Sequence, residues 1–179
     1  SNYPQGYFHA YRDIAEADID AVLHLGDYLY EYPPGAYVNP TAEDQLGRKV
    51  VPGHELFLVE DYRMRYGLYR TDPDLQAAHA AHPWISVWDD HEMMNDTWRG
   101  GAENHNIGEG DFSSRIDAAQ RVYDEWMPIR KPYAGDNSAI YRAFQIGELA
   151  DLIMLDTRAI GRDKQLSYTQ GIEAAGGVE

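Results

Sequence analysis

Four ionisable side chains in succession, Asp89-Asp90-His91-Glu92, close the apolar-rich run Trp84-Ile85-Ser86-Val87-Trp88. Asp89 and Asp90 offer hard oxygen ligands for a cation, and His91 offers a nitrogen ligand or a proton donor. Taken alone, this cluster reads equally well as a solvated acidic turn. A second stretch of the same design shifts the balance: Val22-Leu23-His24-Leu25 runs into Gly26-Asp27. A third, Leu152-Ile153-Met154-Leu155, ends in Asp156-Thr157-Arg158. Carboxylates that converge at one sheet edge repel one another unless a cation lies between them, and a metal site is the simplest arrangement that relieves the repulsion. Two cations about 3.5–4 Å apart would serve in-line displacement at phosphorus, clamping phosphoryl oxygens and activating the attacking oxygen.

Such side chains need elements to aim them. β-Branched and aromatic runs that stop abruptly in charge read as buried strands delivering their C-terminal ends to a site. In open α/β sheets that is where ligands gather. Tyr7, Ala10, Tyr11 and Ile14 predict a short amphipathic helix from Gly6 to about Glu16, followed by a strand over 18–25. Residues 33–53, rich in Pro, Gly and polar side chains without a period, predict a long surface loop. A helix over 60–70 carries Tyr62, Tyr66 and Tyr69 on one stripe. Thr71-Asp72-Pro73-Asp74 then opens another helix, which runs to about Ala81 and is stopped by His82-Pro83. Strand, helix, helix, strand is the βαβ grammar of a parallel sheet. After a polar loop over 95–112, Ser113 or Ser114 is expected to cap a helix with Ile116, Ala119, Tyr123 and Trp126 on its apolar face, ended by Pro128. Residues 140–146 alternate as a half-buried strand does, and Gly147-Glu148-Leu149-Ala150 turns them into a β-hairpin with 151–155.

The whole sequence, 179 residues with a formal charge of −15, suits about one globular domain. Such acidity argues against a nucleic-acid partner or an anionic membrane surface, and it suits a protein that binds divalent cations or one that simply stays soluble. There is no cysteine, so disulfides are excluded. No apolar run approaches the roughly 18 residues that a membrane span needs, and no signal peptide is visible. The first residue is Ser1 and the last six are Ala174-Ala175-Gly176-Gly177-Val178-Glu179, which reads as part of a longer or processed chain.

Four stretches together carry a resemblance: Gly26-Asp27-Tyr28-Leu29-Tyr30-Glu31-Tyr32, Tyr69-Arg70-Thr71-Asp72-Pro73-Asp74-Leu75-Gln76, Trp88-Asp89-Asp90-His91-Glu92 and Leu155-Asp156-Thr157-Arg158. In the same order, over residues 1 to about 163, they look like the PhoD-like alkaline phosphatases of the calcineurin-like metallophosphatase superfamily. The resemblance implies an α/β fold, part of an α/β/β/α sandwich with a mostly parallel sheet and flanking helices. It implies hydrolysis of small phosphoesters, mono- or diesters, with ferric iron beside calcium as cofactors, other divalent metals being alternatives. It also implies export through the twin-arginine route to the periplasm or outside the cell. Asp27 would then be a bridging or iron-ligating carboxylate, and Tyr30 an iron phenolate. Asp90 stands where the superfamily's GNHE motif has its metal-binding Asn, and His91 where that motif has its substrate-contacting, catalytic His. The same resemblance sets an iron-binding cysteine just before Ser1 and further Asp and His ligands beyond Glu179. Residues 1–179 would be the first-half ligands of the catalytic domain, with little or no activity alone.

Blander roles stand beside these. Asp27 would serve as a turn residue after Gly26, and Tyr30 as one more packing tyrosine. Asp89 reads as a residue that orients a neighbour, and Asn95 as a substrate or metal contact or equally a loop cap. Arg158 has a fork suited to phosphate, or an ion pair with Asp156 or Asp163. His24 reads as a core histidine, His79 and His82 as structural or exposed, and Arg115, Arg121 and Arg130 as helix-surface charges. Two rival functions use the same residues: an acidic calcium-binding module without catalysis, and a glycoside hydrolase with Asp90 and Glu92 as its carboxylate pair.

Overall fold

The computed structural model describes residues 1–127, 129–130 and 138–174. Helices α1 (His9–Glu16), α2 (Pro40–Gln45), α3 (Val59–Tyr69), α4 (Pro73–Ala81), α5 (Phe112–Trp126) and α6 (Tyr168–Ala174) surround strands β1 (Val22–His24), β2 (Trp84–Ser86), β3 (Arg142–Ile146) and β4 (Ala150–Met154). β1 pairs with β2 in parallel, Leu23 opposite Ile85, and β3 pairs with β4 as an antiparallel hairpin. The α/β class, the parallel pair and the C-terminal hairpin match the sequence reading. Among the described residues, however, the strands form two separate two-stranded sheets. The third strand end therefore reaches the first two through a side chain, Arg158, and not through the sheet.

Helix starts follow local chemistry. Asp72 caps α4, its carboxylate accepting the Asp74 and Leu75 N–H groups at 3.1 and 3.3 Å, with Pro73 at the first helical position. Asp111, and not Ser113 or Ser114, caps α5; those serines instead fall inside the first turn and donate to the Asp111 carboxylate. α5 runs to Trp126, and Pro128, expected to end it, lies outside the described residues. The 33–53 stretch is less of a surface loop than expected. Asn39 caps the six-residue α2, and Arg48 is buried. Its guanidinium lies 3.6 Å from the Tyr3 ring centroid and donates to Asp72 at 2.8 Å, which ties the loop to the start of α4.

The core lies between α3, α5 and the β1–β2 pair. Tyr62, Tyr66 and Tyr69 from one stripe of α3, with Leu75, Ala78, Ala119, Val122 and Trp88, are essentially sealed from solvent. Arg115, expected on the surface of α5, is sealed as well: it donates to Glu55 at 2.6 Å and Glu109 at 3.2 Å and stacks over Phe57. Buried this deeply, the guanidinium is tolerated because two carboxylates and an aromatic face replace its water. Arg121 is the surface charge expected, paired with Glu125 within the helix. Among the described residues no helix is long and apolar enough to cross a membrane.

His24 and His79 both stack on Trp84, at ring distances of 5.6 and 3.9 Å, and His79 meets the Tyr28 hydroxyl at 3.0 Å. Burial drives both imidazoles toward the neutral form, His24 down to about 3 and His79 to about 4. Below the ordinary histidine range the unfolded chain therefore takes up protons that the fold refuses, so stability falls as pH drops from about 6.5 toward 4. Urea unfolding followed between pH 7 and 4.5 should show this slope, and His79→Gln should make it shallower by up to about one proton. An identical slope in the variant would remove His79 from the account.

Candidate metal centre

Two exits from the parallel pair make the centre. β1 leaves through Gly26 and Asp27, at φ +111° and +55°. Both are left-handed values, and Asp is one of the few side chains that tolerates the second. The backbone comes so close to the β2 exit that a Cβ on Gly26 would lie 2.2 Å from the Asp89 nitrogen. Glu92 clamps the two exits together. Fully buried, it accepts hydrogen bonds from the Tyr28 N–H and, at 2.8 Å, from the Asp89 N–H. Burial lifts its carboxyl to about 7, against the pull of those two donors.

This clamp brings Asp27, Asp90 and His91 together, each with a possible ligand atom within 4.8 Å of the others. Asp90 is buried and accepts the Asp96 N–H at 2.6 Å. Tyr30 points into the same cluster: its hydroxyl donates to Asp27 Oδ2 at 2.9 Å, and its ring stacks on His91 at 4.1 Å. Burial, reinforced by the Asp27 charge, holds the Tyr30 phenol protonated. The second oxygen of Asp27, Oδ1, is buried without a hydrogen-bond partner among the described residues. Burial raises the Asp27 carboxyl above its ordinary range, although His91 and Tyr30 pull the other way. An orphaned carboxylate oxygen beside a second carboxylate and an imidazole suits a hard cation. The residues present fit a metal.

Glu31 is the partner that the sequence reading overlooked. Fully buried, it accepts from His91 Nδ1 at 2.8 Å, the Asn95 N–H at 2.6 Å and Asn104 Nδ2 at 2.7 Å. Nδ1 is thereby occupied and Nε2 is the nitrogen left to work. Burial lowers the affinity of His91 for its proton, but the hydrogen bond and charge of Glu31, with Asp90 and Asp27, outweigh it and raise the pKa. Asn95 takes the loop role, with its side chain donating to Glu103 at 3.1 Å.

Arg158 pairs with neither Asp156 nor Asp163. It bonds Asp89 and reaches Asp90 at 3.4 Å and Asp96 at 3.5 Å, so it supplies a positive charge beside the cluster. Asp156 stays out of the centre: its Oδ1 accepts the Arg158 and Ala159 N–H groups at 2.9 and 2.8 Å and shapes their turn. Glu92 is fully buried with both oxygens engaged, Trp88 packs into the interior edge-on to Tyr123, and Trp84 is half-buried and stacked on His79. The dicarboxylate reading therefore fails on geometry.

The profile of the PhoD-like phosphatases matches residues 1–177. Over 165 residues the chain is 41% identical to alkaline phosphatase D of Bacillus subtilis (strain 168), covering 91% of this chain and 27% of that protein. A solved structure of PhoD superposes with a TM-score of 0.80 at 38% identity, covering 92% of this chain and 31% of that one. The chain thus spans about a third or less of the length of these relatives. With the match running nearly end to end, the chain belongs to the PhoD-like phosphatase family.

Proposed function

We propose that the protein to which this chain belongs is a metal-dependent phosphoester hydrolase acting on small phosphate mono- or diesters outside the cytoplasm. The observation that carries this reading is the meeting of Asp27, Asp90 and His91 within 4.8 Å around an unpartnered, buried Asp27 oxygen. Asp27 and Asp90 are the cation ligands, with Tyr30 joining them once its proton is lost. The carboxylate and phenolate donors favour hard cations, ferric iron and calcium among them. Such cations, when bound, neutralise phosphate charge and lower the pKa of a coordinated water.

The chain's own residues supply the rest. His91, held through Nδ1 by Glu31 and carrying a raised pKa, presents an Nε2–H donor to a phosphoryl oxygen or to the departing alkoxide. Arg158 offsets the charge of Asp89, Asp90 and Asp96 as an anionic ester approaches. Asp89 holds Arg158 in place.

The test is hydrolysis of p-nitrophenyl phosphate and bis-p-nitrophenyl phosphate by the 179-residue chain and by the longest reading frame that contains it, with metal content measured. The longer protein is expected to turn over in an EDTA-sensitive way, the 179 residues alone to do little, and Asp27→Asn in the longer protein to lower kcat/KM by about 100-fold. EDTA-insensitive turnover would overturn the metal reading. Cation binding without hydrolysis of either ester would leave a calcium-binding module instead.

A further inference from the structure

An aromatic face stands beside His91, and two of its rings, Tyr32 and Tyr37, have no part in the cation site or the phosphate chemistry. Tyr32 meets the His91 ring edge-on at 5.3 Å, and Tyr37 lies 5.6 Å from Tyr30 and 6.1 Å from Tyr32. Tyr30, Tyr32 and Tyr37 thus form a continuous set of rings that begins on the reacting imidazole and ends in solvent, where Tyr37 is 62% exposed. Tyr37 is also held where an aromatic side chain seldom sits, at φ +51°. Its carbonyl accepts from Asn2 Nδ2 at 2.9 Å and Gln5 Nε2 at 3.0 Å, and the Asn39 N–H bonds the Pro4 carbonyl at 3.1 Å. Three hydrogen bonds to the first residues therefore fix an exposed ring in an unfavourable backbone conformation.

We propose that Tyr37, backed by Tyr32, is the platform for the leaving group of the phosphoester, and that it selects an aromatic or planar apolar group over a small aliphatic one. This inference rests on the phosphoester reading above. The ring face borders His91, so a phosphoester that accepts a hydrogen bond from His91 Nε2 would have its ester substituent within reach of Tyr32 and Tyr37. Ring stacking rewards a flat apolar substituent. The long stretch over 33–53 thereby gains a specific role: it delivers one ring to the mouth of the site.

The experiment uses the longest reading frame, loaded with metal, and compares kcat/KM for phenyl phosphate with that for glycerol 2-phosphate. In Tyr37→Ala the ratio of the two is expected to fall about 3- to 10-fold, mostly through KM, and Tyr37→Phe and Tyr37→Trp should keep it within about 2-fold. Tyr37→Asn, which suits the left-handed turn yet lacks the ring, should fall as far as Tyr37→Ala. An unchanged ratio in Tyr37→Asn, or a fall in Tyr37→Phe as large as in Tyr37→Ala, overturns the platform while leaving the phosphoesterase intact. Failure of the parent protein to hydrolyse either ester overturns the phosphoester reading and the platform with it.

Discussion

Gly26→Ala is expected to destabilise the protein by about 3–5 kcal/mol, enough to lower its melting temperature by roughly 10 °C, since the added methyl meets backbone as well as strain. At φ +111° the residue occupies a region that is nearly closed to other amino acids. The new Cβ would lie 2.2 Å from the Asp89 nitrogen and 2.4 Å from its Cβ, well inside contact distance. Trimming the Asp89 side chain relieves only the second contact, so Asp89→Gly should not rescue the variant. Gly47 provides the control: it also has a positive φ, of +66°, but open space around it. Gly47→Ala should therefore cost about 1 kcal/mol, from strain alone. Thermal or urea unfolding of both variants decides the matter, and equal losses would mean that the close approach of the two strand exits is not what fixes Gly26.

Glu92→Ala is expected to be nearly as damaging, at about 3–5 kcal/mol, because it leaves one buried and one partly buried N–H group without acceptors and a cavity where the carboxylate was. Those groups belong to Tyr28 and Asp89, one on each side of the site. Releasing them frees Asp27 relative to Asp90, so cation affinity should fall even in molecules that remain folded. Glu92→Gln should sit between, since an amide accepts one N–H but turns its own donor toward the other. Isothermal titration with calcium alongside urea unfolding separates the two effects. A stable Glu92→Ala protein with parent-like calcium affinity would show that Glu92 does not hold the strand ends together.

The centre was legible where one rule governed it. A strand that ends in charge delivers that charge to the sheet edge, so Asp27, Asp90 and His91 could be expected together, whereas Tyr30 was expected there only from the family resemblance. Glu31 escaped because its signal is weak. It is a single acid within the aromatic run Tyr28-Leu29-Tyr30-Glu31-Tyr32, and its partners His91, Asn95 and Asn104 are set by tertiary packing. Arg115 was misread for a related reason: it lies four residues before Ala119 on the apolar face of α5, but its carboxylate partner Glu55 is 60 positions away, and without that partner an arginine reads as a surface charge. The cap of α5 and the existence of α2 were readable. Asp111 precedes two serines and Asn39 precedes a proline, and both are start signals that a preference for serine caps and for longer periodic runs passed over.

The clamp between the two strand exits also has a consequence in time. Tyr28 and the carboxylate that receives its N–H are 64 positions apart in the chain. At synthesis rates of roughly 5–20 residues per second, the first exit waits about 3–13 s before its partner has even been made. Through that interval Asp27 has only Tyr30 of the centre beside it, without Asp90 or His91, and α3 and α4 form first, from contacts that are local in sequence. The centre is therefore among the last parts of this segment to assemble. A cation that recognises the finished cluster binds a folded chain and does not lead its folding.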